Sequence, residues 1–156
     1  MFRVGISGDL LNSRDEPCFG IGPLNLLKDR EDIEISWMDK SITELDTEMT
    51  SKFDAILLNL PKANANCVSD SNCNLKIISR FGVGFDSVDI EAMKKKNIIV
   101  TNTPNAVRRP VAVAALTMIF AAAGKLLQKD HLVRSGKWSD RTNFMGTGLA
   151  QKTLGV

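Results

Sequence analysis

Short apolar stretches alternate with segments of helical periodicity over the first two thirds of the chain. Five stretches have the length and apolar content of strands; they span residues 2–7, 33–38, 53–60, 75–80 and 98–101. Helices are predicted at residues 22–30, 41–49 and 88–96, and residues 63–74 are predicted to form a loop with at most one helical turn. Several strands are apolar on both faces, as in parallel sheets that helices cover. The pattern therefore predicts an α/β fold with right-handed crossovers.

Local signals indicate where these helices begin and end. Pro23 suits the first turn of the first helix. Ser41 and Glu44 form a Ser-x-x-Glu capping box, which predicts that the second helix begins at Ser41. Asp86 or Ser87 is predicted to cap the third helix, and the run 94–96, three lysines, complements the dipole at its end.

A long helix is predicted to follow the last strand. It starts near Arg108 and runs to about Arg134, roughly 40 Å at 1.5 Å per residue. Residues 111–123 are apolar on all sides, so this segment must be buried on several sides. Five strands cannot cover it alone, and we expect a second domain or a second subunit to do so. Gly136 is predicted to end the helix.

Composition bounds the class of protein. A chain of 156 residues is long enough for one domain with a sizeable core. The net charge of +2 gives no strong field, so we expect neither a nucleic acid nor a membrane as partner. The longest nearly apolar run, residues 111–124, is shorter than the ~20 residues that span a bilayer.

The cysteines favour a reducing compartment. Cys18, Cys67 and Cys73 are odd in number and lack metal-ligand spacing, so neither a disulfide framework nor a metal site is predicted. The amino terminus enters a strand directly and does not resemble a signal peptide. The sequence therefore predicts a cytoplasmic location.

A glycine turn follows the fourth strand. Gly82 and Gly84 flank Val83, but Ser87 stands where a dinucleotide-binding fingerprint needs a third glycine. We therefore reject a cofactor loop at this position. Glycines also let backbone N–H groups approach an anion such as a carboxylate, and a plain tight turn is the alternative.

Two polar side chains lie at the ends of neighbouring strands. Arg80 closes the fourth strand, where its guanidinium would hold a carboxylate or phosphate in a bidentate fork. Asn102 leaves the fifth strand and would donate to a substrate oxygen, and Asn59 lines the same crevice from the third strand. A surface arginine and a turn-forming asparagine are the alternatives.

Two other polar residues are rejected as candidate functional residues. His131, the single histidine, lies among charged residues and is interpreted as a surface residue. Asp9 follows the first strand, as in phosphate-receiver sites, but Asn59 replaces the second acidic residue that such a site needs.

The motifs, taken together and in order, resemble one enzyme family. They are FGVGFDSVD at 81–89, NTPN at 102–105, GKW at 136–138, FMGTGL at 144–149 and KTLGV at 152–156. This combination resembles the D-isomer-specific 2-hydroxyacid dehydrogenases, the family of phosphoglycerate dehydrogenase and glyoxylate reductase. The chain departs from that family near Ala115, where an acidic residue is usual, and residues 108–110 lengthen the preceding turn.

The resemblance implies a domain organisation. Residues 1–104 would form a flavodoxin-like substrate domain, and residues 105–156 would form an inter-domain helix, a connector and the first strand of a Rossmann domain. The helix at 108–134 would pack in a homodimer interface. The chain would then be an amino-terminal piece, with the catalytic histidine, arginine and acidic residue and the glycine loop of the cofactor all downstream of Val156.

The resemblance also implies an activity. The intact protein would transfer hydride between NAD(P)H, with NAD favoured, and a small 2-oxo or 2-hydroxy acid. Backbone amides of Val83 and Gly84 would meet the substrate carboxylate, and Arg80 matches an arginine of phosphoglycerate dehydrogenases. Two other functions stay open: an NAD-sensing corepressor without catalysis, and a free-standing flavodoxin-like binding protein.

Overall fold

Five parallel strands form a single sheet in the first part of the chain. A computed structural model describes residues 1–155, and its strands are β1 (Phe2–Ile6), β2 (Ile33–Trp37), β3 (Ala55–Leu58), β4 (Ile77–Arg80) and β5 (Ile99–Thr101). Their order in the sheet is β2-β1-β3-β4-β5, and every neighbouring pair is parallel. This is the strand order of flavodoxin-like folds. The predicted α/β class and the flavodoxin-like sheet are confirmed.

The core lies on both faces of this sheet. Successive residues of β3 point to opposite faces, and they enter different apolar clusters: Ile56 and Leu58 join one, whereas Ala55 and Leu57 pack against the other. Burial on both faces explains why the strands read as continuous apolar runs.

Two of the three short helices begin later than predicted. α1 (Gly22–Lys28) has Pro23 in its first turn, as expected. α2 (Thr47–Lys52) is capped by Asp46, whose side chain accepts from the backbone amide of Met49 at 2.8 Å. The predicted start at Ser41 is therefore wrong.

The residues of the expected capping box are engaged elsewhere. The backbone amide and hydroxyl of Ser41 both donate to Asp39, at 2.7 and 2.6 Å. The carboxylate of Glu44 accepts from the side chain of Asn64, twenty positions along the chain. These contacts withdraw both residues from a helix terminus.

The third helix has a different cap from either predicted one. α3 (Ile90–Lys95) is capped by Asp89, which accepts from the amide of Ala92 at 3.0 Å. The carbonyl of Ser87 instead accepts from the amide of Ala63 at 2.8 Å, and the next residue, Val88, forms a parallel bridge with Ala63 before the helix begins. The lysines at the end of α3 lie in its last turn, as expected.

The chain divides into two compact units, the second of which starts at Val107. The second unit contains α4 (Arg108–Ala123) and α5 (Leu126–Arg134), which are bent by 61° at the break between them. The single straight helix predicted for residues 108–134 is therefore wrong. Lys125 has a left-handed backbone with φ of 50°, and the carbonyl of Ala123 accepts from the amide of Thr147 at 2.8 Å. Because the connector takes this carbonyl, the helix ends there.

α4 has no buried residue although nearly all of it is apolar. Five large apolar side chains of α4 are exposed: Val111, Val113, Leu116, Met118 and Phe120. In residues 1–155 no helix taken singly has the length and apolarity to cross a membrane, and α4 with α5 reaches that threshold only as a bent pair. Within the second unit, residues 107–155 do not supply the burial expected for this segment.

The last described residues, Thr153 to Gly155, form no strand with other described residues. A strand is stabilised by pairing with a neighbour, and Val156 lies outside the described residues. The predicted first Rossmann strand therefore stays a prediction.

The cysteines are all free thiols. Cys67 is buried, and burial raises the pKa of its thiol to about 11. The predicted absence of a disulfide framework stays a prediction.

Asp54 connects three strands at the amino-end edge of the sheet. Its carboxylate accepts from the backbone amide of Arg3 at 3.0 Å and from the Arg3 side chain at 3.2 Å, and lies 3.4 Å from the ammonium of Lys76. The amide of Arg3 is the main cause that holds the pKa of this carboxyl below its ordinary value.

We expect Asp54→Asn to lower the free energy of unfolding by about 1–3 kcal/mol at pH 7, because a buried acceptor of charge-assisted bonds is weakened. Since the folded-state pKa is lowered, the contribution is present above the ordinary pKa near 4 and is lost as pH falls below it. Urea titrations at pH 7 and pH 3 measure this difference. If the free energies of unfolding of the wild-type chain and Asp54→Asn differ as much at pH 3 as at pH 7, the stabilising role of the ionised Asp54 carboxylate is contradicted.

Candidate functional site

Polar residues gather where the parallel strands end. Asp9 follows β1, Asn59 follows β3, Arg80 closes β4 and Asn102 follows β5. The carboxyl ends of parallel strands share one edge of the sheet, which is where ligands bind in open α/β folds. The candidate site of the first unit is this edge.

The turn after β4 is tied to the exit of β5. Gly82 has φ of +142°, a conformation that residues with a side chain rarely adopt. Its amide donates to the hydroxyl of Thr103 at 3.1 Å, and its carbonyl accepts from the amide of Thr103 at 2.8 Å. Thr103 was not among the predicted site residues, and its hydroxyl gave no sign of this role in the sequence.

The next two residues of the turn, Val83 and Gly84, are exposed and have backbone amides from which no group in residues 1–155 accepts a hydrogen bond. Successive unpaired amides in a glycine turn suit an anion. Asp86 is the nearby acidic group, with one carboxylate oxygen 3.6 Å from the place a Cβ of Gly84 would take. The predicted carboxylate contact of Val83 and Gly84 fits this geometry and stays a prediction.

Asn102 supports the turn from the side. Its side-chain amide donates to the carbonyl of Val83 at 2.8 Å. This contact fixes the peptide that carries the amide of Gly84. The predicted contact between Asn102 and a substrate oxygen stays a prediction. In the structure the same side chain stabilises the glycine turn.

The Arg80 guanidinium is half buried and lies against Gly82. Its Nη1 donates to Oδ1 of Asn59 at 3.2 Å and to the carbonyl of Phe81. The place a Cβ of Gly82 would take is 3.0 Å from Nη1, so a side chain here would require the guanidinium to give by a few tenths of an ångström, and the positive φ is the stronger reason for glycine. The Nε of Arg80 is buried, and no described residue accepts its hydrogen bond.

Apolar side chains surround the turn. Phe81, Val83 and Phe85 are exposed, and the Phe81 ring lies 5.4 Å from that of Phe19. A cavity of about 200 Å³ adjoins the turn, lined by Phe85, Ile90 and Val100 to Asn102. An apolar rim lowers the local dielectric and strengthens charge interactions with an anion.

The glycine turn and α3 do not fit the pyrophosphate of a nicotinamide dinucleotide. A dinucleotide pyrophosphate binds at a free helix N-terminus behind a Gly-x-Gly-x-x-Gly loop. The helix after Gly84 starts only at Ile90, and the carboxylate of Asp89 already occupies its first turn. Within residues 1–155 no cluster of three or more metal-ligating side chains occurs either.

His131 lies in the second unit, on α5, and is exposed. It lines a cavity of about 490 Å³ that is bounded mainly by α5 and by residues 137–144. The interpretation as a surface residue agrees with this exposure.

Comparisons with known proteins point to one family. The sequence profile of the D-isomer specific 2-hydroxyacid dehydrogenase catalytic domain matches residues 22–147. The chain is 36% identical over 124 residues to a glyoxylate reductase of Thermococcus litoralis, covering 75% of this chain and 34% of that protein. It is 41% identical over 106 residues to a D-3-phosphoglycerate dehydrogenase of Archaeoglobus fulgidus, covering 67% of this chain and 20% of that protein.

Solved structures share the fold. A D-lactate dehydrogenase of Aquifex aeolicus, complexed with NAD and lactic acid, matches with a TM-score of 0.69 at 23% identity, over 94% of this chain and 41% of that one. An NADPH-dependent glyoxylate/hydroxypyruvate reductase of Sinorhizobium meliloti, in complex with NADP and malonate, matches with a TM-score of 0.68 at 24% identity, over 97% of this chain and 43% of that one. The chain thus spans less than half the length of these relatives.

Proposed function

Because this chain belongs to the D-isomer-specific 2-hydroxyacid dehydrogenase family, we propose that it forms the substrate-carboxylate wall of a nicotinamide-dependent oxidoreductase. The substrate is a small 2-oxo or 2-hydroxy acid. The observation that carries this proposal is the pair of backbone amides at the exposed residues Val83 and Gly84, which donate to no group in residues 1–155. The guanidinium of Arg80 lies against the preceding residue, Gly82. Relatives named for glyoxylate and phosphoglycerate act on acids of this class.

The chain's own residues bind and orient the substrate. The amides of Val83 and Gly84 hold the carboxylate, and Asn102 holds the peptide between these two residues by donating to the Val83 carbonyl. Holding the carboxylate fixes the position of the adjacent carbonyl carbon, which is how binding energy lowers the entropic barrier of a transfer step. The cofactor supplies the hydride when bound, and proton transfer is assigned to residues outside the described ones.

Other properties of the whole protein stay predictions. NAD is favoured over NADP, and relatives are complexed with either cofactor. A homodimer through α4, a cytoplasmic location and the absence of nucleic-acid or membrane partners are supported by the sequence alone.

We expect glyoxylate to shift the amide resonances of Val83 and Gly84 in ¹H–¹⁵N NMR spectra of the 156-residue chain. The titration is best carried out in the monomeric α4 variant described in the Discussion. Glycolaldehyde, which lacks the carboxylate, is the matched control and is expected to leave both resonances in place. Equal shifts with both compounds, or shifts confined to other residues, would contradict the proposal.

We also expect the 156-residue chain to show no glyoxylate-dependent oxidation of NADH above the uncatalysed rate, because the described residues lack a dinucleotide loop. A spectrophotometric assay at 340 nm measures this. Turnover by the purified chain would show that the hydride machinery is present within it and would overturn this division of roles.

A further inference from the structure

A chain of hydrogen bonds joins three strand ends behind the turn. The carboxylate of Asp9 accepts from the hydroxyl of Ser7, from the side chain of Asn59 at 2.6 Å and from the amide of Leu60 at 3.2 Å. The other end of the Asn59 side chain accepts from Arg80 at 3.2 Å. Asn59 thus stands between a carboxylate and a guanidinium that form no direct ion pair.

The carboxylate sets which way Asn59 points. An ionised carboxylate only accepts hydrogen bonds, so the NH₂ group of Asn59 must face Asp9. The carbonyl oxygen of the same amide must then face Arg80, which only donates. Without the carboxylate the two ends of the amide could exchange, and NH₂ would meet the guanidinium.

The positive charge of Arg80 is left uncompensated by this arrangement. No carboxylate in residues 1–155 forms an ion pair with Arg80. Both of its hydrogen bonds come from Nη1, while the buried Nε has no acceptor among the described residues. The guanidinium lies 3.0 to 3.6 Å from the place that a Cβ of Gly82 would take. Gly82 is the residue that precedes Val83 in the chain.

We propose that Asn59, oriented by Asp9, is a positioning residue that holds Arg80 beside the turn and keeps its charge available to the carboxylate of the acid. A neutral amide anchors the guanidinium without neutralising it, whereas a carboxylate at position 59 would form an internal ion pair and compete with the ligand. This inference rests on the proposed function, since it concerns the anion that the turn binds.

The decisive variant exchanges the two side chains. Asp9→Asn/Asn59→Asp keeps the net charge, the side-chain sizes and an amide–carboxylate hydrogen bond, but it places the carboxylate next to Arg80. We expect the affinity for glyoxylate, measured from the shifts of Val83 and Gly84, to fall at least about tenfold. The urea midpoint is expected to change little. Asn97→Asp adds a charge at an exposed position before β5 and is expected to leave the affinity unchanged.

The outcomes separate the two proposals. If the wild-type chain binds glyoxylate and the exchanged variant binds it equally well, the role of Asn59 is overturned and the carboxylate wall stands. If the wild-type chain gives no glyoxylate-specific shift at the turn, the carboxylate wall fails and this inference fails with it. A second readout does not depend on a variant that folds: the Nε–H resonance of Arg80 in the wild-type chain should move with glyoxylate and not with glycolaldehyde. An unmoved resonance in a chain that binds glyoxylate would also overturn the role of Asn59.

Discussion

The 156-residue chain is expected to self-associate through α4, and Val113→Glu/Met118→Glu is expected to keep it monomeric. Val113 and Met118 are 63% and 66% exposed, and Phe120 on the same helix is 60% exposed. Contiguous apolar surface of this kind marks an interaction site. Burying a large apolar side chain contributes about 1.5–3 kcal/mol, so two charges on each helix should raise the dissociation constant at least about a hundredfold.

Light scattering coupled to size-exclusion chromatography, over about 1 to 100 µM chain, measures this effect. The matched control is Leu26→Glu, which places the same charge at a 79% exposed position of α1. The control is expected to associate like the wild-type chain. A wild-type chain that is monomeric throughout the range, or a control that dissociates equally, would contradict the role of α4.

Gly82→Ala is expected to lower the free energy of unfolding by about 2–4 kcal/mol and to abolish the glyoxylate-dependent shifts. An L-residue at φ of +142° is strained, which costs about 1–3 kcal/mol. The added Cβ would also lie 3.0 Å from Nη1 of Arg80, so the guanidinium would have to shift by a few tenths of an ångström. Both effects act on the turn that presents Val83 and Gly84.

Gly84→Ala is the matched control, two residues away in the same turn. Gly84 does not have a positive φ, and the atom nearest to its Cβ position is 3.6 Å away. We expect urea denaturation to give this variant a free energy of unfolding within about 1 kcal/mol of that of the wild-type chain. Equal destabilisation by the two alanines would show that neither backbone strain nor the proximity of Arg80 decides the effect.

The starts of α2 and α3 were predicted wrongly from the sequence. Ser41 and Glu44 satisfy the capping-box pattern, yet their hydrogen bonds go to Asp39 and Asn64. Asp46 caps α2 instead. A cap is a local signal, but it competes with every other partner that the fold brings within reach. The same competition ends α4 at Ala123, whose carbonyl binds the amide of Thr147.

The candidate site was predicted in part. The sequence predicted that the glycine turn, Arg80, Asn102 and Asn59 share one edge, because the ends of parallel strands do so, and the structure places them there. Their contacts with a substrate stay predictions. The contact between Asn59 and Asp9 joins residues fifty positions apart. No spacing rule connects residues at that separation, so the linkage became visible only in the folded chain.

By itself the sequence determined the α/β class, the parallel sheet and the glycine turn, because apolar periodicity and backbone conformation are local properties of the chain. It also determined that residues 111–123 are apolar on all sides. The tertiary structure alone decided where α2 and α3 begin, where α4 ends and which groups surround Arg80. Those features depend on hydrogen-bond partners that are distant in sequence, and in a folded chain a polar group takes the partner that lies nearest in space.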